Sequence, residues 1–185
     1  MSTSTVIAIV IAVVILGWLI AQYNKLLRMN VAVDEGFAQI EVQLQRRADL
    51  VPNLVETVKG YAAHEKEALE NVVQARARAT AAQGVQDVSA ADGMLTQALR
   101  GLLAVSEAYP DLKASANFAQ LQEELAATEN KVSFARQFYN DTVRILNQTV
   151  VTIPGTFFKG IAKVGKREFY EIEDPQNRQV PKVNF

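Results

Sequence analysis

His64 is the single histidine of the chain, and it sits in the run His64-Glu65-Lys66-Glu67. A zinc hydrolase site carried on one helix needs a second histidine four residues away, because two imidazoles on one helical face supply adjacent ligands. None is present, so His64 reads as a surface residue on a charged helical turn. Two carboxylate groups, Glu65, Glu67 and Glu70, and Glu123, Glu124 and Glu129, have the density of a carboxylate-bridged metal centre. In helical bundles such centres use inward-facing Glu-x-x-His pairs. The chain contains no Glu-x-x-His. Cysteine is absent, which removes thiol nucleophiles, disulfides and thiolate metal sites. There is no phosphate-cradling glycine loop and no Gly-x-Ser-x-Gly elbow. The residues therefore predict no enzyme activity, no metal and no cofactor.

Other polar residues need partners. Arg46, Arg47 and Asp49 lie near a proline, and Glu129, Asn130, Lys131 and Arg136 interrupt the middle of a long helical pattern. Charged groups in such places either pair between helices and fix their arrangement, or face a binding partner. Inter-helix pairing is the expectation, and a partner-binding face is the alternative. Net charge is −1 with Lys and Arg scattered, so no basic face for nucleic acid is expected.

The element that places everything else is Val6–Ala21, a run without a charged or strongly polar side chain. As a helix it covers about 24 Å, slightly less than a hydrocarbon core of about 30 Å. Thr3, Ser4, Thr5 and Tyr23 extend it. Trp18 and Tyr23 suit a headgroup belt. A signal peptide would need a basic leader and a small-residue cleavage site. The leader here is Met-Ser-Thr-Ser-Thr, and the apolar run ends through Trp18-Leu-Ile. A core helix would show a polar stripe. A retained transmembrane helix is expected. Lys25 and Arg28 follow the run and no basic residue precedes it. Positive flanks stay cytoplasmic, which predicts the N-terminus outside and the folded domain in the cytoplasm. Ala8 and Ala12 offer a weak small-residue contact between anchors.

Beyond the anchor the pattern is helical. Val33, Phe37, Ile40 and Leu44 recur at helical spacing, and Asp49-Leu-Val-Pro52 is expected to break the first helix. A second helix is predicted over 52–83 and a loop over 84–93, with Asp87 or Ser89 capping the third helix. That third helix carries Leu95, Leu99, Leu102, Val105 and Tyr109 and stops at Pro110. Asn117 and Gln120 resemble a capping box. A fourth helix holds Phe118, Leu121, Leu125, Thr128, Val132, Ala135, Tyr139, Thr142, Leu146 and Thr149, a heptad seam suited to near-parallel packing. Phe134, Phe138 and Ile145 widen this stripe for a second neighbour. The whole reads as all-α, an N-terminal transmembrane helix continuing into an antiparallel four-helix bundle. Its divisions are a short flank (1–5), the transmembrane helix (6–23), the bundle (24–153) and an amphipathic, then irregular tail near the membrane (154–185).

An even number of helices returns the chain to the bilayer near Pro154, and places the 84–93 loop at the membrane-proximal end too. What arrives there is Thr156-Phe-Phe-Lys-Gly-Ile-Ala-Lys-Val-Gly-Lys-Arg167. In a helix Phe157, Ile161 and Val164 form one stripe, and Lys159, Lys163 and Lys166 the opposite one. Together with Trp18, Tyr23, Lys25, Arg28 and Phe158 these residues form the expected membrane interface.

The order Tyr23-Asn24, Val42-Gln-Leu-Gln-Arg-Arg-Ala-Asp-Leu-Val-Pro-Asn-Leu-Val-Glu-Thr-Val58, Gly60-Tyr61, His64-Glu65, Tyr109-Pro-Asp-Leu-Lys113, Asn117-Phe118, Leu121-Gln122, Glu124-Leu125, Thr128-Glu-Asn-Lys131, Ala135-Arg136, Tyr139-Asn140 and Pro154 resembles the bacterial LemA family. The resemblance covers the chain from anchor to tail, and is thinnest over 76–93. It implies a bacterial single-pass membrane protein with an antiparallel four-helix domain. The family brings no established catalytic residues. It includes proteins associated with magnetosome membranes, so the resemblance implies membrane organisation as a functional class. The expected function is a non-enzymatic, self-associating scaffold of the bacterial inner membrane, partnered by the lipid bilayer and by its own copies. The alternative is an adaptor that recruits an unidentified envelope protein in a stress response.

Overall fold

The computed structural model describes residues 2–171. Its elements are α1 (Thr3–Tyr61), α2 (Lys66–Ala81), α3 (Val85–Val105), a 3-10 turn (Ser106–Ala108), α4 (Pro110–Lys113), α5 (Ala116–Val151) and α6 (Gly155–Ala162). Among the described residues there is no strand, and a segment without regular secondary structure follows α6 to Glu171. The chain is all-α, with a long apolar N-terminal helix followed by helices, as the patterning predicts. Two compact units form. One takes residues 39–136 together with 170 and 171, the other residues 2–38 and 137–169.

The 39–136 unit packs five helical segments around one core. Val51, Leu54 and Val58 of α1 meet Leu69, Val72 and Ala75 of α2, Leu95, Leu99 and Leu102 of α3, Leu112 of α4, and Phe118 and Leu125 of α5. Each fully buried large aliphatic side chain contributes roughly 1.5–3 kcal/mol of transfer free energy. The helix boundaries depart from the sequence expectation at four places. First, α1 does not break at Pro52 but continues to Tyr61. Proline removes the N–H that would bond to the carbonyl four residues earlier, that of Ala48. Arg76 Nε of α2 donates to this carbonyl at 2.8 Å. The ring of Pro52 faces solvent, while Val51, Leu54 and Val58 keep the buried stripe in phase across it. The long second helix is thereby shortened to α2.

Second, the expected loop over 84–93 is the first half of α3. The connection is reduced to three residues, ending at Gly84 with a positive φ of 78°. Asp87 is one turn into the helix. Its carboxylate accepts from the Gln83 amide at 3.0 Å and pairs with Arg78. Those bonds hold its carboxyl below the usual range, the Arg78 hydrogen bond being the largest cause. Ser89 is buried inside α3 and caps nothing. Third, the 3-10 turn ends the third helix at Val105, before Pro110. Fourth, α5 begins at Ala116, and Ser115 rather than Asn117 supplies the capping oxygen, 3.5 Å from the Phe118 amide.

In the other unit the stretches of α1 and α5 run antiparallel. Gly36 lies against Tyr139, so closely that a β-carbon there would sit 3.3 Å from the tyrosine Cα. The rings of Phe37 and Tyr139 are 5.8 Å apart. The segment after α6 bonds to both helices of this pair. Tyr139 donates its hydroxyl to the Glu168 carbonyl at 2.8 Å. Asn147 accepts from the Arg167 amide at 2.7 Å and donates to its carbonyl at 2.8 Å. The Arg167 guanidinium bonds Asn30 at 3.3 Å and pairs with Asp34. Leu26, Val33, Val143, Leu146, Val150 and Val164 are buried. The seam of α5 has moved by one residue here, from the expected Thr142 and Thr149 to Val143 and Val150. A straight helix drifts about 20° per heptad, which carries the buried stripe off a strict seven-residue repeat. The two threonines turn their hydroxyls back to the carbonyls of Tyr139 and Ile145.

Candidate functional site

Two regions carry features beyond packing. The first is the apolar end of the chain. Every side chain from Ser2 to Ala21 is exposed, and burial starts at Gln22 and Tyr23. By length and composition this is a helix able to cross a membrane. Trp18, Lys25 and Arg28 are exposed and Tyr23 is half-buried.

α6 sits at the end of α5, pinned by Gly155. That glycine is buried so close to the Thr149 backbone that a β-carbon would lie 3.1 Å from the threonine methyl group and 3.0 Å from its carbonyl carbon. Phe158 and Ala162, four residues apart, turn inward and are half-buried. Phe157 and Ile161, also four apart, point outward and are 68% and 72% exposed. Ile153 in the preceding turn is 76% exposed. Lys159, Lys163 and Lys166 are exposed around them. The expected stripe of Phe157, Ile161 and Val164 does not form. The helix ends at Ala162, Lys163 adopts a left-handed conformation, and the Val164 amide bonds to the Lys159 carbonyl as its side chain turns inward.

The second region is a polar cluster inside the 39–136 unit. Val33, Ile40, Arg47 and Leu54 are seven residues apart, so Arg47 occupies an interior position and is 5% exposed. On α3 the buried series Val88, Asp92, Leu95, Leu99 puts Asp92 inside as well, at 2%. Arg47 pairs with Asp92 at 3.2 Å and with Glu129 at 2.6 Å, and donates to the Thr96 hydroxyl at 2.9 Å. Arg136 approaches Asp92 at 3.7 Å and Glu129 at 3.6 Å. Tyr170 donates to Asp92 at 3.0 Å, and its ring lies 5.9 Å beneath the Arg136 guanidinium. One residue further, the Glu171 carbonyl accepts from Ser89.

Two arginines and two carboxylates balance in charge. Burial pushes the Asp92 carboxyl above its usual range, against the pull of Arg136, Arg47 and the Tyr170 hydroxyl. Burial and the neighbouring Asp92 push the Tyr170 phenol up too, so it stays a donor. The cluster thus ties α1, α3, α5 and the segment after α6 together.

Of the polar residues singled out from sequence, the structure brings Arg47, Glu129 and Arg136 into one cluster. Arg46, Asn130 and Lys131 are exposed. Asp49 is exposed and accepts from Gln45 at 2.7 Å. His64 is exposed in the turn before α2. Among the described residues, no group of three His, Asp or Glu side chains is placed to hold a metal ion. Sequence reading missed Asp92 and Tyr170, the first hidden in a supposed loop and the second between the amphipathic and the irregular parts of the tail. The available signal was Arg47 itself, since an arginine on a buried heptad position requires buried carboxylates opposite it.

The "Magnetosome protein MamQ 1" and "Magnetosome protein MamQ 2" of Paramagnetospirillum magneticum are each 22% identical to the chain over 192 residues, covering 90% of it and 71% of their own length. The model of the LemA family matches residues 36–185, from the Gly36–Tyr139 contact onward and through the whole polar cluster. The chain belongs to the LemA family, and its N-terminal apolar helix marks it as a membrane-associated member.

Proposed function

We propose that this protein is a non-enzymatic scaffold that is held in the bacterial inner membrane by α1, associates with its own copies, and organises the bilayer around the assembly. The observation that carries this reading is the outward row of α5. Phe134, Phe138 and Ile145 were expected to widen the stripe for a second neighbour; the Phe138 ring does lie beside Gly36 of α1, yet the three remain 70%, 47% and 44% exposed. Large apolar side chains left exposed on a helix mark surface that is covered in use. A second copy is the occupant favoured here, because anchoring confines copies to two dimensions at high effective concentration. The names of the MamQ relatives tie them to the magnetosome, which supports a role in arranging membrane. Lys25 and Arg28 after the span support a cytoplasmic folded domain with the N-terminus outside.

The test is to size the full chain in mild detergent over a wide range of concentrations. Homomeric species are expected, and Phe134→Glu with Phe138→Glu is expected to shift them to monomer while helicity is retained. A monodisperse monomer at every concentration overturns the proposal. A stoichiometric complex with another envelope protein, without homomers, favours an adaptor instead.

A further inference from the structure

We propose that α6 is an interfacial helix. It lies in the headgroup–acyl boundary of the leaflet from which α1 emerges, with Ile153, Phe157 and Ile161 directed toward the hydrocarbon. The inference rests on the reading of α1 as a membrane anchor, and on neither self-association nor the side of the membrane. Its first support is register. Gly36 and Tyr139 face each other. At 1.5 Å per residue, α5 runs about 18 Å from that contact to Val151, and α1 runs about 18 Å back to Asn24. The end of α5 is therefore level with the first residues after the apolar run, within about 5 Å of Ala21 along the helix axis. The second support is rotation. Gly155 holds α6 against the Thr149 backbone, and the side chain of Phe158 is half-buried. Phe157 and Ile161 are thereby held outward and cannot roll under. A helix facing water carries polar residues on its outer side. This one carries Phe157, Gly160 and Ile161 there. The third support is charge. Lys159, Lys163 and Lys166 on the tail and Lys25 and Arg28 on α1 are exposed at the same end, suited to anionic headgroups.

The absence of cysteine makes a direct test available in the full chain. Single substitutions Phe157→Cys, Ile161→Cys and Lys159→Cys, with Val13→Cys as a reference in the anchor and Glu107→Cys as a reference in water, are each nitroxide-labelled. All five sites are exposed, so labelling disturbs no core. The proteins are reconstituted into vesicles of phosphatidylcholine and phosphatidylglycerol. Collision with oxygen, which concentrates in hydrocarbon, is compared with collision with a water-soluble nickel chelate. Positions 157 and 161 are expected to show an oxygen-to-nickel ratio several-fold above position 107 and approaching that of position 13, with position 159 between them. Nickel-dominated ratios at 157 and 161, with position 13 still in lipid, overturn the interfacial helix and leave the anchor standing. Spin–spin broadening at 157 and 161 with neither collider gaining access shows a second copy on this face, and also overturns it. A nickel-dominated ratio at position 13 removes the anchor, and this inference with it.

Discussion

Arg47 shows how much of this molecule turns on single charged side chains. It sits where leucine or isoleucine would fit the heptad, and its charge is met by Asp92 and Glu129. Removing one partner of a buried pair leaves a charge without compensation and costs about 3–5 kcal/mol, whereas replacing both with apolar groups is often neutral. Arg47→Met is therefore expected to destabilise the full chain by about that amount in urea unfolding followed by circular dichroism. Adding Asp92→Leu to it should recover a substantial part of the loss, because Glu129 and Arg136 still neutralise each other at 3.6 Å. If the double variant is weaker than the single one by the full cost of a second buried defect, Asp92 is held mainly by Tyr170 and Arg136, and Arg47 is not its principal partner.

At the scale of elements, Pro52 is the instructive case. The residue type correctly announces a lost backbone bond, and the expectation of a helix break followed from it. What the sequence did not show is that a side chain 24 positions later, Arg76, supplies the missing donor. A local rule was overridden by a tertiary contact. Asp92 and Ser89 were misplaced for a related reason: Gly84-Val-Gln-Asp-Val-Ser-Ala-Ala-Asp-Gly93 has too few large apolar residues to show a period until α2 and α5 are packed against it. By contrast, the long apolar N-terminal helix, the α5 seam as far as Tyr139 and the α3 leucines were legible, because strong periodicity survives without knowledge of neighbours. The Pro52 contact yields a double-mutant cycle. Arg76→Met, which keeps most of the aliphatic stem, should cost about 1 kcal/mol in the native background. In a Pro52→Ala background it should cost much less, since the alanine N–H takes the Ala48 carbonyl. Equal costs in both backgrounds would show that Arg76 stabilises by packing alone.

For the molecule as a whole, the boundary between exposure and burial falls within a single helix. α1 is continuous from Thr3 to Tyr61, yet no side chain before Gln22 is covered by protein, whereas Leu26, Val33 and Ile40 are fully buried. The first stretch thus finds no apolar surroundings within the described chain and is apolar and long enough to cross a bilayer, and the second gains its stability from packing on protein. Shortening the chain at two points should separate these dependencies. A chain beginning at Gln22 is expected to leave the membrane fraction and to melt within a few degrees of the full protein, since it loses no buried contact. A chain beginning at Gln39 removes Asn30 and Asp34 from Arg167 and Phe37 from Tyr139, and uncovers the apolar face of α5 at Val143, Leu146 and Val150. That chain should lose helicity over 137–162, read by amide hydrogen exchange, while Leu99 and Leu102 of the remaining bundle stay protected. Loss of protection in the shorter deletion would mean that the exposed stretch steadies the fold through α1 itself, and that the anchor and the folded protein are one cooperative element.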